Sequence, residues 1–532
     1  MTESQNPAPP SNAIPAPPTA GAGTPPAPPS RRNLLVLALG LLFAGFVIAL
    51  IAVLHRPGYV VLAPLHDGEE LWFRERLDRF AASHHVRLTL ATYRGAADLE
   101  RQLALDTHAS HPRVLAVLVL QASLVPLVDA KLVRPLGELV GGPRVDRLLA
   151  GFLPEALAPA RVNGVPCYVP RNLSATCLYY SKSHLADAVA HWSEVRATVE
   201  AWFEEANGSG LPRGYALEAD PREWDTYDLA VVAAYWASRP FDGLKTARVA
   251  HRARRDGGAA VDLASAIYVQ GGSSEDLLAL DGLAVWDALA WESFFLAHGL
   301  YHPAMVREGW DEPDLLTAIA QGQIYLCFLD PTDLFAVHGT TEPAAPAFLR
   351  NPADLGVARL PRGASLDLVH GSAARIADPF AARTGTWWGV PRTAPDPPLA
   401  LTLLEHVSSP EFMTEASRAF GLYPTLRDLD GGLDGLYREN WAYAIARVAR
   451  KQILDFGRPL PGTRRWTRAR EVLVAAWSDV CVNRKLTKTK DIAGALGAYT
   501  GALAMPPGAP VPTPSSGRVA VRAPSPDTSA QR

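Results

Sequence analysis

The sequence predicts an α/β fold preceded by one membrane-spanning helix. Three observations carry this reading. Strand-like and helix-like runs alternate through residues 58–120, helical patterns dominate about 183–320 and return after 400, and an uncharged run of twenty-one residues stands at Leu34–Leu54. Strand, helix, strand is the signature of a parallel sheet, because parallel neighbours need a crossover and bury both faces.

In chain order, residues 1–32 hold ten Pro among Ala, Ser and Gly and almost nothing apolar to bury, so they read as a disordered arm. Leu34–Leu54 has no charged or polar side chain and spans a hydrocarbon core of about 30 Å at 1.5 Å per residue. We assign 33–55 as a transmembrane helix rather than a cleaved signal. The run is about twice a typical signal core, and His55-Arg56-Pro57 follows in place of a small-x-small cleavage pattern. Arg31 and Arg32 before the run, against Arg56 after it, place the arm in the cytoplasm and the body outside a cytoplasmic (inner) membrane, with the lipid bilayer as the partner of 33–55.

The body opens on the apolar run Gly58–Pro64 and the turn His66-Asp67-Gly68-Glu69. Leu71, Trp72, Leu77 and Phe80 then recur at helical spacing, Val86–Leu90 alternates as a strand, Ala96–Leu105 is a second helix, and Val114–Leu120 is a continuous apolar strand. In such sheets ligands bind beyond the carboxyl ends of the strands, which makes the loops at His66–Glu70 and Gln121–Ser123 candidate walls of a site. Asp67, Glu69 and Gln121 are the residues taken from them. Residues 506–532 carry seven more Pro and read as a disordered tail.

Lys plus Arg is 51 against Asp plus Glu 54, a net charge of -3, so no global basic field is present to hold nucleic acid. The four Cys, at 167, 177, 327 and 481, form no C-x-x-C and no zinc spacing. They read as buried free thiols, with a Cys167–Cys177 disulfide as the open alternative. His298 and His302 stand at metal-binding helical spacing, but Gly299 and Pro303 end the helix between them. Neither a nucleophile elbow nor a phosphate-binding glycine loop occurs, so no cofactor, metal or catalytic residue is expected.

Several stretches, taken in order, resemble the extracellular solute-binding proteins of the carbohydrate-binding, maltose-binding-like family. They are the opening strand, helix and strand; Leu132-Val-Arg-Pro-Leu136; Gly164-Val-Pro-Cys-Tyr-Val-Pro170 with Cys177-Leu-Tyr-Tyr-Ser-Lys182; Gly322-Gln-Ile-Tyr-Leu-Cys-Phe328; and Ser408-Ser-Pro-Glu411 with Gly421-Leu-Tyr-Pro-Thr-Leu-Arg427. The resemblance implies a two-lobed, hinge-connected, periplasmic-binding-protein-like fold of type II. Lobe one would be 59–170 with 331–383, and lobe two 171–330 with 384–505. It also implies capture of a carbohydrate or similar small polar solute for the permease subunits of an ABC-type importer. Where the family tends to carry a tryptophan after the return strand, this chain has Asp330-Pro331-Thr332-Asp333, so Asp330 is a candidate.

Sugars need flat apolar faces beside carboxylates, a description that Trp224 and Asp225 fit. Trp388, next to Trp387, and Arg427 match positions the family turns to its cleft. Two other readings stay open: an extracytoplasmic glycan-active enzyme, and a sensor or assembly module with a degenerate cleft.

Overall fold

The computed structural model describes residues 58–511 apart from 66, 140, 240–247, 255–257, 322, 339–353 and 438–439, and of the first 57 residues only 39, 42 and 43. Within 58–511 the strands fall into two main sheets. β1 (Gly58–Leu62), β2 (Arg87–Ala91) and β3 (Val114–Leu120) pair in parallel with β1 in the middle. Their crossovers are α1 (Asp67–Ser83) and α2 (Gly95–Thr107). In α1 the apolar side chains Phe73, Leu77 and Phe80 recur four and three residues apart and are buried, while Arg74, Glu75, Asp78 and Arg79 stay exposed. All of β3 is buried except Leu120, as a strand covered on both faces must be.

β4 (Tyr168–Ala175) belongs to the same sheet. One residue later, past Thr176, the chain enters β5 (Cys177–Ser181) of a second sheet, completed by β6 (Arg248–Ala250), β7 (Ile324–Leu329) and β8 (Leu355–Ala358) in the order β8-β5-β7-β6. The chain returns to the first sheet as β9 (Ala381–Gly389), which inserts antiparallel between β3 and β4. β10 (Tyr423–Pro424) pairs with β4 and β11 (Gly457–Pro459) with β9. Between the second-sheet strands lie α3 (Thr226–Ala237), α4 (Gly258–Val269) and α5 (Leu283–Ala297), all rich in buried residues. α6 (Pro331–His338) follows β7, α7 (Pro410–Phe420) precedes β10, and α8 (Arg464–Trp477) follows β11.

The body thus has two lobes, each built on its own sheet, and Thr176 marks a crossing. There β5 and β7 run side by side, with Cys177 opposite Leu329. The lobe boundaries differ from those expected. Residues 384–505, assigned to the second lobe, begin on β9 in the middle of the first sheet, and 331–383, assigned to the first lobe, contain β8 of the second sheet. The tail also starts later than 506: Arg468 donates to the Ala509 carbonyl at 2.6 Å and the Gly508 amide to Glu471 at 3.1 Å, holding 506–511 against α8.

The arm 1–32 and the rest of the tail lie outside the described residues, as does the expected span 33–55 apart from Leu39, Leu42 and Phe43. Among the described residues no helix is long and apolar enough to cross a membrane. All four cysteines are buried free thiols, Cys167 and Cys177 included.

Candidate functional site

A cleft of about 720 Å³ lies between the two sheets. Its first-lobe wall is made where strands hand over to helices: Gly68 and Glu69 after β1, Gly95 and Ala96 after β2, and Gln121 to Ser123 after β3. Gly95 has φ +78°, a left-handed turn that starts α2 without presenting a Cβ to the cleft. The floor is polar strand: Arg171, Asn172 and Ser174 of β4 beside Thr384, Gly385 and Thr386 of β9. A Cβ at Gly385 would collide with the Asn172 carbonyl, so glycine lets these two strands close up. From the other side come Arg252 and the start of α4, while Asp330, Thr332 and Asp333 line the cleft at the crossing.

Two ion pairs dominate the electrostatics. Arg171 and Glu69 pair within the first lobe, with side-chain exposures of 7% and 8%. Burial pulls the Arg171 guanidinium down to about 9, still cationic at neutral pH. Arg252 of the second lobe grips Asp262 through Nη2 at 2.5 Å and Nε at 3.0 Å, and its Nη1 stands 4.0 Å from Asp330. Burial opposes its charge, yet the carboxylates of Asp262, Asp330 and Asp333 hold it firmly protonated. Asp330 also accepts from Thr176 Oγ1 at 3.4 Å, and its backbone amide donates to Asp333 at 3.0 Å. The charges of these two groups are therefore compensated by neighbours.

Apart from Glu69 Oε1 and Arg171 Nη2, which face each other in the ion pair, three buried polar atoms on the first-lobe side have no hydrogen-bond partner: Gln121 Oε1, Arg171 Nε and Ser174 Oγ. One accepts, one donates and the hydroxyl does either, which suits a ligand bearing hydroxyl groups. The aromatic rings on the lining are Phe335 and Phe420; no tryptophan or tyrosine lines the cleft among the described residues.

Of the residues chosen from sequence, Glu69, Gln121 and Asp330 line this cleft. Asp67 opens α1, and its side chain lies outside the described residues. The other four are elsewhere. Trp388 is 1% exposed and stacks on Phe73 at 5.5 Å in the core behind the sheet, while Trp387, on the opposite face, donates to the Ala156 carbonyl at 2.9 Å. Neither faces the cleft because the cleft meets β9 only at Thr384–Thr386, and at the two tryptophans the strand is covered by a hydrophobic cluster on each face. Trp224 is buried and donates to the Glu218 carbonyl at 2.8 Å. Asp225 is the N-cap of α3 in a reciprocal capping box with Asp228. Arg427 donates to the Phe152 carbonyl at 2.9 Å.

His298 stacks on Trp202 and His302 on Trp310, and no cluster of metal-ligating side chains occurs among the described residues. Sequence reasoning missed Arg171, Asn172, Ser174 and Arg252. The signal for the first three was present, since an Arg-Asn-x-Ser run inside an apolar strand buries polar groups that need partners.

Residues 75–443 match the sequence profile of the bacterial extracellular solute-binding proteins. The chain belongs to this family. No curated protein matches it in sequence. Solved structures share the fold of this solute-binding protein at low identity. Maltose-bound T. maritima MalE3 is 16% identical, with a TM-score of 0.61 over 84% of this chain and 100% of the other. The GacH receptor of Streptomyces glaucescens, solved unliganded and with acarbose, is 15% identical, with a TM-score of 0.60 over 84% and 98%. UgpB from Mycobacterium tuberculosis, in complex with glycerophosphocholine, is 17% identical, with a TM-score of 0.57 over 83% and 98%.

Proposed function

We propose that this chain is a membrane-anchored, extracytoplasmic binding protein that captures a sugar or similar small polyol in its interlobe cleft and delivers it to an ABC-type importer. The observation that carries the reading is the set of three unpartnered buried polar atoms, Gln121 Oε1, Arg171 Nε and Ser174 Oγ, on one wall of a cleft between two lobes. Leaving such atoms unpaired costs about 1 to 3 kcal/mol each, a cost that a bound polyol removes. Glu69, Gln121 and Asp330 are the ligand contacts carried over from the sequence, with Asp67 beside them; Arg171, Asn172, Ser174 and Arg252 are added on position.

Contacts from both lobes favour the closed state, and a ligand that touches only one lobe closes nothing. The compensated charges support a neutral ligand over a strongly charged one. The maltose, acarbose and glycerophosphocholine named for the structural relatives support a polyhydroxylated solute, and the uncharged run at 34–54 supports the anchor.

Thermal unfolding of the full chain in detergent, against a panel of mono- and oligosaccharides, polyols and glycerophosphodiesters, tests the reading. A ligand at a hundred times its Kd adds about 2.7 kcal/mol. If no compound in the panel raises the midpoint at millimolar concentration, capture of such solutes is wrong. Protease added to intact spheroplasts tests the topology: the body is expected to be digested and residues 1–32 spared.

A further inference from the structure

Behind the crossing, within the second lobe, lies a separate cavity of about 100 Å³. It shares no lining residue with the cleft. Its walls include both stretches that join a strand of one sheet to a strand of the other, Thr176 between β4 and β5 and Leu360 with Pro361 on the way from β8 to β9, together with Phe328 near the end of β7. The remaining wall is helical, with Trp291 and Phe295 of α5 supplying a broad apolar face and Ala288 a short one.

The charged groups at its edge are already paired. His251 and Glu292 stand 3.1 Å apart, Tyr301 and Trp477 both donate to Glu292, and Asp262 is held by Arg252. Gln270 is the exception. It is 2% exposed, its Nε2 reaches Thr226 Oγ1 only at 3.5 Å, and its Oε1 has no partner.

A cavity without a free charge and with one orphaned acceptor suits a neutral molecule that has a hydroxyl donor and a short aliphatic body. An apolar cavity of ~150 Å³ takes benzene, so this volume corresponds to about four or five non-hydrogen atoms. Half-buried Ala266 and Phe328 mark the way in. We propose that this hinge cavity is a second ligand site, distinct from the interlobe cleft, for a short-chain neutral alcohol or diol whose hydroxyl donates to Gln270 Oε1. The proposal does not rest on what the cleft binds. Because the linking segments form its walls, an occupant would be felt by the hinge itself.

The test is a saturation-transfer NMR titration of the full chain with 1,2-propanediol, run on wild type, Ala288→Leu and Gln270→Leu. Saturable transfer is expected in wild type, its loss in Ala288→Leu, where the added side chain fills the cavity, and about 2- to 10-fold weaker binding in Gln270→Leu, which lacks the acceptor. Circular dichroism checks that each variant folds, and Ala266→Leu, at the mouth, replaces Ala288→Leu if that variant does not. Transfer that fails to saturate in wild type means that the cavity holds only water, and an unchanged Kd in the filled variant means that the diol binds elsewhere. Either result overturns the proposal.

Discussion

Replacing Glu69 by Gln keeps the shape of the side chain and removes its charge, leaving the Arg171 guanidinium without its counter-ion. Both groups are more than nine-tenths buried, so water cannot take over as it does around an exposed pair such as Arg79–Glu75, at 69% and 60% exposure. Exposed pairs typically contribute about 0 to 1 kcal/mol. Removing one partner of a buried pair costs about 3 to 5 kcal/mol, because the remaining charge is uncompensated. Arg171 keeps only a 3.5 Å contact from Nη1 to Thr386 Oγ1, so little else offsets the loss. We therefore expect Glu69→Gln to lower unfolding stability by about 3 kcal/mol. The double variant Glu69→Leu with Arg171→Met should recover most of it, since a well-packed apolar pair often replaces a buried ion pair at little cost. Urea unfolding followed by fluorescence of the thirteen tryptophans measures both, with stability read from midpoints at constant m. A loss below about 1 kcal/mol in the single variant, or a double variant as unstable as the sum of the singles, would refute the claim that burial makes this pair matter.

A pH effect comes from His251. Burial opposes its protonation, but the Glu292 carboxylate outweighs this and raises the imidazole to about 9 from 6.5. A raised folded-state value means that the stabilisation is complete below about pH 6.5 and fades as pH rises through 9, by up to about 3 kcal/mol in all. Urea midpoints between pH 6 and 10 should fall accordingly in wild type and stay flatter in His251→Gln. Trp388→Ala removes a ring stacked in the core and should cost about 3 to 5 kcal/mol of stability, while any ligand identified for the cleft binds the folded variant as before. A drop in affinity measured by calorimetry would return this ring to the site. Asp330→Asn weakens the link from Arg252 to the crossing. It should lower affinity for a cleft ligand roughly tenfold or more while changing stability by less than about 1 kcal/mol, both readable in one ligand-dependent thermal series.

How much of this was legible in the sequence depends on how far apart the deciding residues are. β3 and α1 could be read because their periodicity is local, and the place of Glu69 and Gln121 on a cleft wall because both follow the carboxyl ends of parallel strands, where clefts of such sheets open. Asp225 was legible as a cap, since Asp228 three residues on completes the box, whereas the burial of Trp224 beside it depends on packing that no local pattern records. Trp388 was not legible. Alternation along a strand says that two adjacent tryptophans face opposite ways, but whether either face is open is decided by partners remote in sequence, Phe73 against Trp388 and the Ala156 carbonyl against Trp387. Arg427 fails for the same reason, its carbonyl acceptor lying 275 residues away. The lobe boundaries slipped because a strand's sheet is chosen by its neighbours: nothing within Ala381–Gly389 says that it pairs with β3 and β4 rather than with β5.

The two ion pairs that line the cleft differ in what they can report about closure. Glu69 and Arg171 both stand on first-lobe elements, so their pairing joins parts of one lobe and does not depend on the second. Arg252 follows β6 in the second lobe, whereas Asp330 stands at the crossing, tied to Thr176 on one side and to Asp333 on the other. Arg252 and Asp330 leave the ends of the neighbouring strands β6 and β7, and the hydrogen bond from Thr176 Oγ1 to Asp330 ties that end of the second sheet to the crossing. Hinges concentrate motion in a few such residues while the packed lobes move as bodies. Under the proposed capture of a solute, one that touches Arg252 or Asp330 as well as the first-lobe wall gains from both lobes at once. The unpartnered atoms of Gln121, Arg171 and Ser174 all stand on first-lobe elements, so in the proposed function they would receive the solute from one side.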